Sequence, residues 1–278
     1  MNRVVKIGST LPVDARGFIV RRASPHQIVS PWRSLIDEIT RAYRIHWGDR
    51  VRSIYIRGSV AAGQAILGVS DVDSFAVVSG DYQQCDRSWF DCFNREITPR
   101  YPFCKGVELS AISRDRLLDV SDDGYWGLRM LIATQSACIW GEDISEHLPK
   151  FKPDIDAVSH AFDLRDDIQK VMSDLSDRVP QMPPEERSAY TQKICQWIMK
   201  RIVRSGFEIV MEKKQCYTRD LYPCYQLFTE SYPSRQPTMY RALTWAIKPT
   251  DDSQAIGDFL HDFGTWLADE IDRVYPPE

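Results

Sequence analysis

The stretch Ile54-Tyr55-Ile56-Arg57-Gly58-Ser59-Val60-Ala61-Ala62-Gly63, resumed at Gly68-Val69-Ser70-Asp71-Val72-Asp73-Ser74-Phe75-Ala76-Val77-Val78, reads as strand, tight turn, helical turn and second strand. Arg52–Arg57 is rich in residues that suit a pleated surface. Gly58 ends that strand, and its missing side chain lets a phosphate approach backbone N–H groups closely. Ser59 follows at a helix start, where a hydroxyl and the helix dipole can hold an anion. Twelve residues after Ser59, Asp71 and Asp73 occupy alternate strand positions, which sends both carboxylates to one face with Val72 behind them. Two carboxylates at that spacing repel unless a divalent cation sits between them. Hard oxygen donors select Mg²⁺, which also binds triphosphate oxygens. A third acid, Glu108, lies inside the apolar run Gly106-Val107-Glu108-Leu109-Ser110-Ala111-Ile112, where an uncompensated charge is costly.

Outward from this stretch, residues 31–47 follow a helical period through Leu35, Ile36, Ile39, Ala42 and Tyr43, with Ser30 as cap and Gly48 as stop. The second strand breaks at Gly80-Asp81, residues 83–98 read as a helix, and a third strand fits Lys105–Ile112. Ser113 reads as the cap of a short helix over Arg114–Leu118, and Tyr125–Trp140 as one further helix closed by Gly141. The first half thus alternates helix and strand. From about residue 157 the period is helical throughout. One stripe runs through Val158, Phe162, Ile168, Val171, Met172, Leu175 and Val179, and a second helix runs from Glu185 to about Lys213. Thr218 caps a helix over 219–230, and two more fit 237–247 and 252–274. Trp197, Phe207, Trp245, Phe259 and Trp266 fall at core spacing, while Tyr222, Tyr225 and Trp126 are candidates for lining an acceptor cleft. The halves divide near 145–156, giving domains 1–150 and 151–278.

The 278 residues carry 35 basic and 39 acidic side chains, a net −4, with 43% hydrophobic and 11% aromatic residues. Disorder as the main state is excluded by that balance, and a surface gripping nucleic acid throughout is disfavoured. No apolar run approaches the roughly 20 residues of a membrane span, and the first residues lack the apolar stretch of a secretory signal. Seven cysteines without a CxxC pair read as reduced thiols of a cytoplasmic protein. Histidines 26, 46, 147, 160 and 261 show no zinc-ligand spacing. Gly63 and Gly68 have P-loop spacing, but Val69-Ser70 replaces the Lys-Ser/Thr that a P-loop needs.

The pattern of apolar strand, Gly-Ser, Asp-x-Asp and a lone acid on a later strand resembles the DNA polymerase β-like nucleotidyltransferase superfamily. Within it the chain looks most like the streptomycin/spectinomycin adenylyltransferases that modify aminoglycosides. Gly141-Glu142-Asp143-Ile144 is similar to the segment closing that family's catalytic domain. Tyr217-Thr218-Arg219-Asp220-Leu221 and Phe228-Thr229-Glu230-Ser231-Tyr232-Pro233 resemble its later basic-Asp helix start and Pro-ended helix. The resemblance implies an α+β fold, a small mixed-sheet catalytic domain followed by an all-α helical bundle. It implies that Gly58 and Ser59 hold the β- and γ-phosphates of ATP, and that Asp71 and Asp73 bind Mg²⁺. Glu108 completes the metal site or deprotonates the acceptor hydroxyl. Leaving-group charge is expected from Lys200, Arg204 and Arg219, with Arg57, Arg201 and Lys214 in reserve. The basic positions are more widely spaced than in the aminoglycoside enzymes.

The expected activity is transfer of AMP from ATP to a hydroxyl of a small molecule, such as an aminoglycoside-like antibiotic, by a monomer or homodimer. The competing readings are transfer to RNA, a protein side chain or another nucleotide, and a non-catalytic nucleotide-binding regulator. Nucleic acid is the weaker partner because the pI is acidic, near 5.8, whereas proteins that track phosphates usually need a basic stripe.

Overall fold

The computed structural model describes residues 4–80 and 86–276. They form two units, one of residues 19–151 and one of residues 4–18 with 152–276. The fold is α+β, a mixed four-stranded sheet with its helices followed by a helical region. Residues 4–18 therefore pack with the helical unit, unlike the division at 150 drawn from the sequence. Their anchors are mutual backbone hydrogen bonds between Leu11 and Tyr217, and Ser9 N–H donating to Asp220 Oδ2 at 2.9 Å.

In the sheet unit, α1 (Trp32–Trp47) buries Trp32, Leu35, Ile36, Ile39, Tyr43 and Trp47 along one face. Each such side chain contributes about 1.5–3 kcal/mol relative to exposure. Then come β1 (Val51–Arg57), α2 (Gly58–Ala61), β2 (Val72–Val78), α3 (Asp86–Ile97), β3 (Val107–Ser113), α4 (Arg114–Leu118), α5 (Trp126–Gln135) and β4 (Ser136–Gly141). Residues 83–85 of the helix expected over 83–98, and Cys85 with them, lie outside the described residues. Strand order is β3-β2-β1-β4, with β2 and β3 parallel and the other neighbours antiparallel. Ile54, Tyr55 and Ile56 are fully buried because both faces are covered. Ile54, Ile56, Val72, Ala76 and Val78 pack under α1, while Tyr55, Phe75, Val77 and Ile112 pack with Leu117 and Ile132 on the other face.

The continuous helix expected over Tyr125–Trp140 is instead α5 followed by β4. Sheet pairing jumps from Ile54↔Trp140 to Tyr55↔Cys138, which leaves Ile139 as an extra residue on the β4 side. A bulge removes the period-two alternation that would have announced a strand. Gly141, read as a helix stop, lies at φ +82, and a Cβ there would overlap the Arg52 carbonyl. It permits close pairing of β4 with β1.

In the helical unit, α6 (Leu164–Ser173) begins later than the apolar stripe suggested, and Phe162 is 56% exposed. A π-turn, Asp174–Arg178, extends α6. The unit is built on α7 (Pro184–Lys214), whose buried row includes Ile194, Ile198, Ile202, Phe207 and Val210. Trp197 on that helix is 40% exposed, not core. The remaining helices are α8 (Leu221–Ser231), α9 (Gln236–Ile247), α10 (Ser253–Phe259) and α11 (Thr265–Val274), the last two joined by a π-turn over Leu260–Gly264. Thr218 does not cap α8. Asp220 holds the cap position, while the Thr218 hydroxyl donates to Ser9 O and accepts from Asp220 N–H. Among the described residues no helix is long and apolar enough to cross a membrane, and Cys92, Cys104, Cys138, Cys195, Cys216 and Cys224 are free thiols.

Candidate active site

Sheet register places the acids. Arg57 pairs with Asp73 across β1 and β2, and Asp73 with Glu108 across β2 and β3. Directly opposed residues share a face, so Glu108, Asp73 and Arg57 form one cross-strand row. Arg57 Nη1 lies 3.1 Å from Asp73 Oδ2 and Nη2 lies 3.8 Å from Glu108 Oε2. The Asp73 side chain is 18% exposed and that of Glu108 70%. The latter corrects the expectation of a charge sunk in an apolar run. Glu108 takes the outward alternate position while Val107 and Leu109 fill the core. Asp71 is exposed and precedes β2 instead of lying in it, with Val72 fully buried beyond it.

Burial pushes the Asp73 carboxyl up to about 6, against the pull of Arg57 and with help from the negative charges of Asp71 and Glu108. Asp71 and Glu108 thus both lie close enough to act on the Asp73 carboxyl. Their donor set suits a hard divalent cation, since all three offer carboxylate oxygens. Yet among the described residues no three His, Cys, Asp or Glu side chains are arranged as a metal cage. Instead, the Arg57 guanidinium bridges two of the three acids.

Gly58 and Ser59 open α2 directly after Arg57. Gly58 has φ +77, a conformation that favours glycine, and a Cβ there would stand 3.9 Å from Asp73 Oδ2. The Ser59 hydroxyl is engaged, donating to Ser70 Oγ at 3.2 Å, while Ser70 Oγ accepts from Ile66 N–H at 2.9 Å. These bonds fix the loop that delivers Asp71.

Lys200, Arg204 and Arg219 belong to the helical unit. Lys200 and Arg204 lie one turn apart on α7, and Arg204 Nε donates to the Arg219 carbonyl at 3.1 Å. Burial and the nearby Arg219 charge lower the Arg204 pKa. Arg219 Nη2 is 3.3 Å from His160 Nε2. Behind it, Glu208 accepts from the N–H groups of Ser159, His160 and Ala161 and from the Ser159 hydroxyl, and stands 2.9 Å from His160 Nδ1. Burial favours the neutral Glu208 acid, but His160 and the amides outweigh it and lower its pKa. His160 and Glu208 gave no signal in the sequence, being 48 residues apart. Arg57 was held in reserve from the sequence, but its pairing with Asp73 depends on the register between strands.

Arg201, held in reserve as a phosphate ligand, pairs with Asp163 and Asp167, and Lys214 bonds Glu230 at 2.7 Å. Tyr222 and Tyr225 line an open cleft of about 550 Å³ with Lys6 and Gln236. Trp126 packs edge-on against Phe151.

No family model and no curated protein matches the chain. Among solved structures it is similar to the spectinomycin adenyltransferase AAD(9) from Enterococcus faecialis, crystallised with ATP and spectinomycin. The TM-score is 0.52 at 14% identity, over 86% of this chain and 99% of that one. At that identity the likeness shows the fold alone: this chain shares the α+β architecture of that structure.

Proposed function

We propose that this protein is a metal-dependent nucleotidyltransferase that moves AMP from ATP to a hydroxyl of a small, cationic, aminoglycoside-like acceptor. The observation that carries the reading is the cross-strand row that sets Glu108 beside Asp73, with Asp71 two residues away and Gly58-Ser59 at the end of the neighbouring strand. The fold likeness to an adenyltransferase supports it.

Asp71, Asp73 and Glu108 would hold Mg²⁺, which when bound neutralises charge on the triphosphate. Glu108, the most exposed of the row, accepts the proton of the acceptor hydroxyl at its carboxylate. The hydroxyl oxygen forms the new bond to the α-phosphorus, and the bond to the bridging oxygen of pyrophosphate breaks. Gly58 and Ser59 receive the outer phosphates through backbone N–H groups, and Ser59 releases Ser70 if its hydroxyl joins them. Lys200, Arg204 and Arg219 are the proposed cations for the departing pyrophosphate. Positioning and charge neutralisation account for the catalysis.

The test is pyrophosphate release from ATP and Mg²⁺ across a panel of aminoglycosides and aminocyclitols, with Asp73→Asn as the control. Acceptor-dependent release that Asp73→Asn abolishes is expected. Undiminished release by a folded Asp73→Asn protein would overturn the proposal. Oligonucleotide products from ATP alone would move the acceptor to a second nucleotide.

A further inference from the structure

Arg57 is the one member of the cross-strand row that the proposed chemistry leaves without work. Its guanidinium sits between the two carboxylates of Asp73 and Glu108, at 3.1 and 3.8 Å. That is where a cation shared by the same carboxylates would have to go. The side chain is positioned by three features of the backbone. Arg57 is the last residue of β1, is paired in register with Asp73, and caps the start of α2 with extended backbone at φ −121 and ψ 172. An Arg guanidinium keeps its charge at every working pH and forks onto two oxygens. It is therefore a fixed competitor for a metal ion, unlike a lysine, which is a single mobile charge.

A divalent cation arriving alone at Asp73 and Glu108 must expel this guanidinium or accept it as a like-charged neighbour. A cation arriving with a nucleoside triphosphate brings the anion that the expelled guanidinium needs. The backbone of Arg57 is contiguous with Gly58 and Ser59, so a side-chain rotation carries its charge from the carboxylates toward phosphates held there.

We propose that Arg57 is a placeholder cation, which occupies the Asp73–Glu108 carboxylates until a divalent metal arrives together with a nucleoside triphosphate and then transfers its fork to the phosphates. Metal binding thereby depends on nucleotide, and the acids are kept from collecting metal without a substrate to act on. The inference rests on the nucleotidyl-transfer reading and gives Arg57 a positioning role, not a catalytic one.

The experiment is Mn²⁺ binding to the full chain, followed by electron paramagnetic resonance, with and without a non-hydrolysable ATP analogue. Wild-type protein is expected to bind Mn²⁺ at least tenfold more tightly in the presence of the analogue. Without the analogue, Arg57→Gln is expected to bind Mn²⁺ at least tenfold more tightly than wild type, while its affinity for the analogue falls. Arg57→Lys should lie between the two. A structural role for Arg57 would weaken metal binding on substitution, the opposite sign. Tight Mn²⁺ binding by wild type without nucleotide overturns the proposal, and that arm needs no variant to fold. Equal nucleotide-free affinities in wild type and folded Arg57→Gln overturn it too. If wild type binds no Mn²⁺ even with the analogue, the nucleotidyl-transfer reading falls and takes this inference with it.

Discussion

His160 Nδ1 stands 2.9 Å from Glu208 Oε1 while its Nε2 faces Arg219 Nη2 at 3.3 Å. A guanidinium can only donate, so Nε2 accepts and the ring proton is on Nδ1. His160 is thereby held as one neutral tautomer. Burial is the main cause of its lowered pKa, Arg219 and Arg204 add to it, and Glu208 opposes without prevailing.

The sign of the resulting pH dependence follows from that direction. A histidine whose folded pKa is depressed stabilises the fold above its unfolded value of about 6.5, and the contribution is lost as pH falls below it. Urea midpoints should therefore drop between pH 7 and 5, and His160→Gln should flatten that slope. Imidazole ¹⁵N shifts at pH 7 should report the Nδ1–H tautomer.

Glu208 is 3% exposed and accepts five hydrogen bonds from Ser159, His160 and Ala161. Glu208→Ala should cost about 3 kcal/mol or more, because buried donors lose their acceptor. Chemical denaturation measures it, and a loss under 1 kcal/mol would contradict the account.

Arg129 is fully buried and donates to the carbonyls of Leu117, Asp122, Arg116 and Asp119. It satisfies the end of α4 and the following turn without an acidic partner among these bonds. Arg129→Met keeps the volume and removes the donors, so a destabilisation of about 2–4 kcal/mol is expected, with faster amide exchange over residues 117–122.

Gly141→Ala should strain the β1–β4 pairing on two counts, the positive φ and the overlap with the Arg52 carbonyl. A loss of about 2–4 kcal/mol in thermal or urea melts is expected. Gly68→Ala shares the positive φ but has open space around it, so it should cost less.

Glu108→Gln should leave stability within about 0.5 kcal/mol, since the side chain is 70% exposed. On the proposed chemistry it should lower acceptor-dependent pyrophosphate release by at least about 100-fold. A variant with unchanged turnover would remove Glu108 from the reaction.

The strand–turn–strand segment was legible because local features agree there: β-rich runs, a glycine at the turn and two acids two residues apart. The long helix α7 was legible for the same reason, from Glu185 to its basic end. β4 was not, since the bulge at Ile139 breaks the alternation that marks strands. The exposure of Glu108 was hidden by its apolar neighbours, which alternate around it. Arg57 stood in plain view beside Gly58, but its pairing with Asp73 is a property of register between strands. His160 and Glu208 are joined only by tertiary packing.

Ile19 N–H donates to the Phe151 carbonyl at 2.8 Å, and these two residues are the first and last of the sheet unit. Lys152 Nζ likewise lies 5.3 Å from the centre of the Phe18 ring, and these two residues are the two ends of the single chain break in the helical unit. The sheet unit is thus an insert with adjoining ends, spliced into a helical host that is discontinuous in sequence. Such an insert can be lengthened, permuted or exchanged as a cassette while the host closes over the gap with a short linker.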